Sequence, residues 1–174
     1  TLLYVSHHSA DLELRQDEWV RKQIPAGKGN NAFYACDVRG TGESRPDTCG
    51  ENSFLQPYGS DYFYAIHGIM LNRPYVGQKT LDVLQVLRWL EAAGHSRIQI
   101  VAQGWGSLPA AFAAMYSNVV TSIRLKGALD SFHSIATSQE YQWPLSSFVP
   151  SILNEVDLTD CYTLLKAEKD LELL

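Results

Sequence analysis

The chain has 174 residues, 45% of them hydrophobic and 19% charged, which suits one globular domain and excludes a disordered or fibrous chain. The net charge of −5 disfavours a nucleic-acid partner, because the phosphate backbone needs a basic face. No apolar run approaches the ~20 residues that a bilayer-spanning helix requires.

Short apolar runs alternate with amphipathic ones along the chain. Residues 2–6 (LLYVS) predict a buried strand, and residues 11–24 a polar-rich helix with Leu12, Trp19, Val20 and Ile24 as its apolar contacts. Pro25, Gly27 and Gly29 end that helix, and residues 32–37 (AFYACD) form a second strand. Residues 38–75 read as one long connection rich in Gly, Pro, Asp, Asn and Ser, with an aromatic group at Tyr58, Tyr62, Phe63 and Tyr64. Connections of that length carry function or cover a site.

Residues 76–93 form the best helix: Val83, Val86, Leu87 and Leu90 recur at helical spacing, Leu81 and Leu84 widen the stripe, and Gly94 stops it. Residues 98–102 (IQIVA) are a third strand. It breaks into Gln103-Gly104-Trp105-Gly106 and an Ala-rich helix over residues 107–116. Pro109 is tolerated in the first turn of that helix because no helical hydrogen bond is lost there. A fourth strand at residues 123–129 precedes an irregular stretch with Pro144 and Pro150. Asp157 then caps a helix running to residue 166, and residues 171–174 are a fifth strand. Alternation of this kind predicts an α/β fold: a mostly parallel sheet of about five strands with helices on both faces, in one domain over residues 1–174. Ligands of such sheets bind beyond the carboxyl ends of the strands, where the winding reverses.

The three cysteines, Cys36, Cys49 and Cys161, show no CxxC spacing and read as free thiols, with Cys36 a core filler. His67, His95 and His133 show no metal-ligand spacing, and nothing calls for a cofactor. Both ends lie in apolar runs, which suggests a piece of a larger protein with a neighbouring domain in the same polypeptide. The compartment is left open.

The informative segment is residues 98–115, IQIVAQGWGSLPAAFAAM. A strand that turns sharply into a helix through small-x-X-x-small is what a nucleophile elbow requires, with Ala102 and Gly106 as the small residues. Together with LLYVSHH, DVRGTGES (residues 37–44) and the strand ending in Leu129-Asp130, it resembles the α/β-hydrolase superfamily over nearly the whole chain. The long connection, with PDTCGENSF and YGSDYFYAIHGIML, is more narrowly similar to bacterial multidomain esterases of the acetylxylan-esterase and dienelactone-hydrolase-like groups.

The resemblance implies a serine where this chain has Gly104, which offers no oxygen to attack a carbonyl. It places oxyanion donors at the backbone of Trp105 and near His7 and His8, and puts its acid and base after residue 174. Asp130 is the acid candidate within the chain, against the reading of a turn aspartate. Ser107 is the substitute nucleophile, against the reading of a cap for backbone N–H groups. Asp37-Val38-Arg39 with Gly40 and Gly42 reads as a structural turn with a local ion pair, or, more sharply, as a substrate contact by Arg39. Trp105 packs beneath the long connection or walls a pocket for a sugar or aromatic group.

Three functions follow. The first is a non-catalytic hydrolase-fold domain of a larger carboxyl or carbohydrate esterase, giving structural support or shaping substrate access. The second is an active esterase that uses Ser107 or residues outside this chain. The third is a binding module for an acyl or sugar ester.

Overall fold

The computed structural model describes residues 1–25, 32–46, 60–140 and 142–174. Gly27, Gly29, Cys49, Tyr58 and most of PDTCGENSF lie outside the described residues. Five strands form one all-parallel sheet: β1 (Leu2–Val5), β2 (Phe33–Cys36), β3 (Ile98–Gln103), β4 (Val120–Lys126) and β5 (Asp170–Leu173), in the order β2-β1-β3-β4-β5. The expected α/β architecture is therefore present. The winding reverses between β1 and β3, so the crevice above their carboxyl ends is the place where such a sheet takes a ligand.

Alternation of side chains sorts the two faces. Leu3, Val5, Ile98, Ile100 and Ala102 face the larger core. There they meet α4 (Tyr75–Ala92), α5 (Ser107–Met115) and α7 (Leu158–Glu168) through residues such as Leu87, Leu108 and Leu165. Leu2, Tyr4 and Val101 face the other way, onto Val20, Leu14 and Trp19 of α1 (Ala10–Gln16) and α2 (Glu18–Gln23). Seven of the nine residues of α5 are buried, as befits a helix apolar on every side.

Several elements differ from expectation. The single helix over residues 11–24 is two helices, because Asp17 is extended and its carboxylate accepts from the N–H groups of Trp19 (2.8 Å) and Val20 (3.3 Å), starting a new helix. Of its four expected apolar contacts, Leu12 and Ile24 are exposed. The long connection contains α3 (Ser60–Met70), whose buried positions are Asp61, Ala65 and Gly68. The half-buried Tyr62, Ile66 and Ile69 continue that stripe at helical spacing, but Phe63, Tyr64 and Met70 on the exposed side are apolar too and blur the period. In α4, Leu81 is exposed, and the buried stripe extends instead through Tyr75, Val76, Lys79 and Thr80. The fourth strand lies three residues earlier than expected, and Gly127, at φ +58°, turns the chain out of it. The stretch before Asp157 holds a short helix, α6 (Phe132–Thr137), with Phe132 and Ile135 buried. Asp157 caps α7 in a reciprocal box with Asp160 and also accepts from the N–H of Phe132 at 2.6 Å, tying α6 to α7.

Candidate functional site: a filled elbow

Ala102 is fully buried and pairs with Val5, so β3 leaves the sheet beside the end of β1. The residues Gly104–Gly106 form a single tight turn before α5. Gly106 is obligatory there: a Cβ would stand 2.3 Å from the Ser6 carbonyl oxygen. Gly104 has φ +50°, the left-handed backbone that favours glycine. The local geometry thus has the sharp strand-to-helix turn that the sequence predicts.

The space above Gly104 is occupied. A Cβ at this position would lie 2.5 Å from Nδ1 of His7 and 2.9 Å from its Cε1 and Cγ. The His7 imidazole stands where an elbow side chain would begin. Its Nδ1 accepts a hydrogen bond from the backbone N–H of Trp105 at 3.0 Å. That bond requires Nδ1 to be unprotonated, so the neutral ring carries its proton on Nε2. Burial, and then the neighbouring His8, push the His7 pKa down to about 4, while Glu13 pulls the other way.

The chain matches no family model, no curated protein and no solved structure.

The backbone donors on the β1 side are also committed. The N–H groups of His7, His8 and Ser9 donate to the Glu13 carboxylate at 3.1, 2.6 and 3.1 Å. The Tyr4 hydroxyl donates to the same carboxylate, and Gln103 Nε2 reaches it at 3.4 Å. Burial alone would raise the Glu13 pKa. The hydrogen bonds from Tyr4, His8, Ser9 and His7 outweigh it, and the carboxyl is held below its ordinary range. An internal anion therefore fills the concavity of successive N–H groups that would otherwise suit a ligand. Glu13 was not among the residues that the sequence pointed to. Its signal was an acidic residue in the first turn of a helix capped by Ser9, a near relative of the capping box.

Trp105 packs edge-on against His7 and His8, with ring centroids 4.9 and 4.6 Å away, and the two imidazoles lie 3.6 Å apart. The structure thus brings His7, His8, Gly104 and Trp105 together at the switch point. It does so as a packed cluster, with the Trp105 N–H and both histidine N–H groups already donating. His8 Nδ1 is buried and without a partner among the described residues. The His8 pKa is lowered, by burial first and by Lys79 and Arg45, with Glu13 opposing.

Ser107 does not cap. Its hydroxyl is fully buried and donates to the Gly104 carbonyl oxygen at 2.6 Å, while no side chain caps α5. The reason is the tight turn ahead of the helix, which presents a carbonyl rather than free N–H groups to this hydroxyl. Asp130 is exposed, four residues past the end of β4, and lines a separate cavity with Tyr162 and Lys166. Arg39 pairs with Asp82 of α4 rather than within its own turn. Asp37 is instead used by Ser6 Oγ (2.6 Å), the Ala10 N–H (2.8 Å) and the Glu43 N–H (3.2 Å). Those acceptances hold the turn and leave the guanidinium to reach α4.

His95 bridges Thr1 Oγ1 (2.8 Å) and the Tyr34 hydroxyl (3.1 Å), and His67 and His133 are exposed. Among the described residues no group of three His, Cys, Asp or Glu stands close enough to hold a metal, and no helix is long and apolar enough to cross a membrane. Cys36 is buried, and burial raises its pKa to about 12, so it is a protonated thiol at neutral pH.

Proposed function

We propose that this chain is a non-catalytic α/β-hydrolase-like domain, a degenerate scaffold belonging to a larger carboxyl or carbohydrate esterase. There it gives structural support to a neighbouring domain or shapes the path of an acyl or sugar ester toward it. The observation that carries this reading is the pairing of Gly104 with His7. The position of the nucleophile has no oxygen, and the volume above it is taken by an imidazole that also consumes the Trp105 N–H. Loss of a nucleophile alone leaves only oxyanion and binding contributions to rate. Here the donors that would supply the oxyanion contribution are committed to His7 and Glu13. Ser107, the substitute nucleophile, is closed to solvent with its proton donated to a carbonyl.

The purified chain is expected to hydrolyse p-nitrophenyl acetate no faster than a heat-denatured control at equal concentration. Turnover well above that control, abolished by Ser107→Ala, would establish the active-esterase reading in its place.

A further inference from the structure

Away from the elbow, outside the carboxyl end of β2, a cavity of about 420 Å³ opens between the turn after Asp37 and the N-terminal half of α4. It falls within the ~300–1,000 Å³ range of small-molecule sites. Its lining includes a connected polar array. Arg39 donates from Nε to Asp82 Oδ2 at 2.7 Å, from Nη2 to Asp82 Oδ1 at 2.5 Å and from Nη1 to Gln78 Oε1 at 2.8 Å. The Arg39 backbone N–H adds a bond to Asp82 Oδ2 at 3.0 Å. The guanidinium is therefore fixed in orientation, yet its side chain keeps 41% exposure. A guanidinium has about five N–H donors, of which those three are committed among the described residues, so two remain.

Acceptors face the same space. Asp82 Oδ1 and Asp37 Oδ2 each accept one bond among the described residues. Ser44 Oγ donates to the Asp37 carbonyl at 2.9 Å and keeps its lone pairs. One wall is aromatic: Tyr64, 44% exposed, stacks on the buried Tyr75 with centroids 5.9 Å apart and planes 12° from parallel, and Lys79 Nζ lies 4.9 Å from the Tyr75 ring, so Tyr64 is the exposed ring of this wall.

We propose that this cavity binds a neutral carbohydrate ring. Vicinal hydroxyls both donate and accept, which matches fixed guanidinium N–H groups set beside carboxylate and hydroxyl oxygens. The C–H face of a sugar ring suits the tyrosine wall. Two lining carboxylates against one guanidinium oppose a phosphate or carboxylate ligand, and the polar floor opposes a purely apolar one. The site is independent of the elbow, so binding here needs no hydrolysis.

The test is titration of the full chain with methyl β-D-glucopyranoside and cellobiose, followed by backbone amide shifts, with methyl β-D-glucuronide as the anionic control. Saturable shifts at Arg39, Ser44 and Gln78 in the millimolar range are expected with the neutral sugars. The glucuronide should bind about tenfold more weakly. Asp82→Asn and Tyr64→Ala should each weaken the neutral sugars by about tenfold. Tyr64 is 44% exposed, so its truncation spares the core and is read beside Asp82→Asn, which also disturbs Arg39. Absence of saturable shifts, equal binding of the glucuronide, or unchanged affinity in Tyr64→Ala would overturn the proposal. Inert or active esterase behaviour leaves each of these outcomes unaffected.

Discussion

His7 accepts the Trp105 N–H through a nitrogen that can do so only when unprotonated. In the folded chain it takes a proton only near pH 4, whereas an unfolded histidine does so near pH 6.5. Between those values the unfolded chain binds more protons, so stability falls as pH drops from about 6.5 toward 4. His8 is shifted in the same direction and adds to the slope. Urea unfolding at a series of pH values should show a midpoint falling through this window, and His7→Gln should flatten part of the fall. An NMR titration placing His7 near its unperturbed value would contradict the packing of its ring. At this scale the sequence was half legible. The sharp strand-to-helix turn centred on Gly104 was readable from its small residues. That an imidazole from residue 7 fills the gap depends on a contact 98 residues away, and local pattern carries no record of it. Glu13 left one local trace, its place in the first turn of the helix capped by Ser9, while its partners Tyr4 and Gln103 meet it only once the sheet has formed.

Among the elements, α4, α7 and the central strands were readable because each has a hydrophobic period, a cap, or both. Asp157 is the clearest case, since one carboxylate serves the Leu158 N–H at 2.7 Å, Phe132 at 2.6 Å and His133 at 3.3 Å. Its pKa is lowered; burial opposes this, and the bonds from Leu158, Phe132, His133 and Ser131 outweigh it. Asp157→Ala is expected to cost about 1–2 kcal/mol in chemical unfolding, at the upper end for a helix cap, because two helices lose bonds together. A cost below a few tenths of that would mean that α6 and α7 are held by their apolar contacts alone. The elements that escaped detection fail on recognisable grounds. In α3 the inward Tyr62, Ala65, Ile66 and Ile69 are matched by apolar Phe63, Tyr64 and Met70 on the exposed side, which weakens the contrast. The break between α1 and α2 rests on one aspartate turning from helix interior to cap. Only six residues long, α6 is too short for a period to emerge.

For the molecule as a whole, the order β2-β1-β3-β4-β5 sets the ends of β1 and β3 side by side, and with them residues 7 and 104. The crevice that this topology ordinarily gives to a ligand is packed with the chain's own side chains, His7, His8 and Trp105. That coupling is a property of the assembled sheet, so global unfolding reports it most directly. Gly104→Ala should cost about 1–3 kcal/mol in the native background, from strain at positive φ together with displacement of the ring. The strain is common to any background, whereas the collision needs His7. The decisive measurement is a double-mutant cycle with Gly104→Ala and His7→Gly, followed by urea unfolding. The substitution at 104 should cost less once residue 7 is glycine, with a coupling of about 0.5–3 kcal/mol. Strictly additive costs would mean that the imidazole does not occupy the elbow, and the account of a filled site would fall.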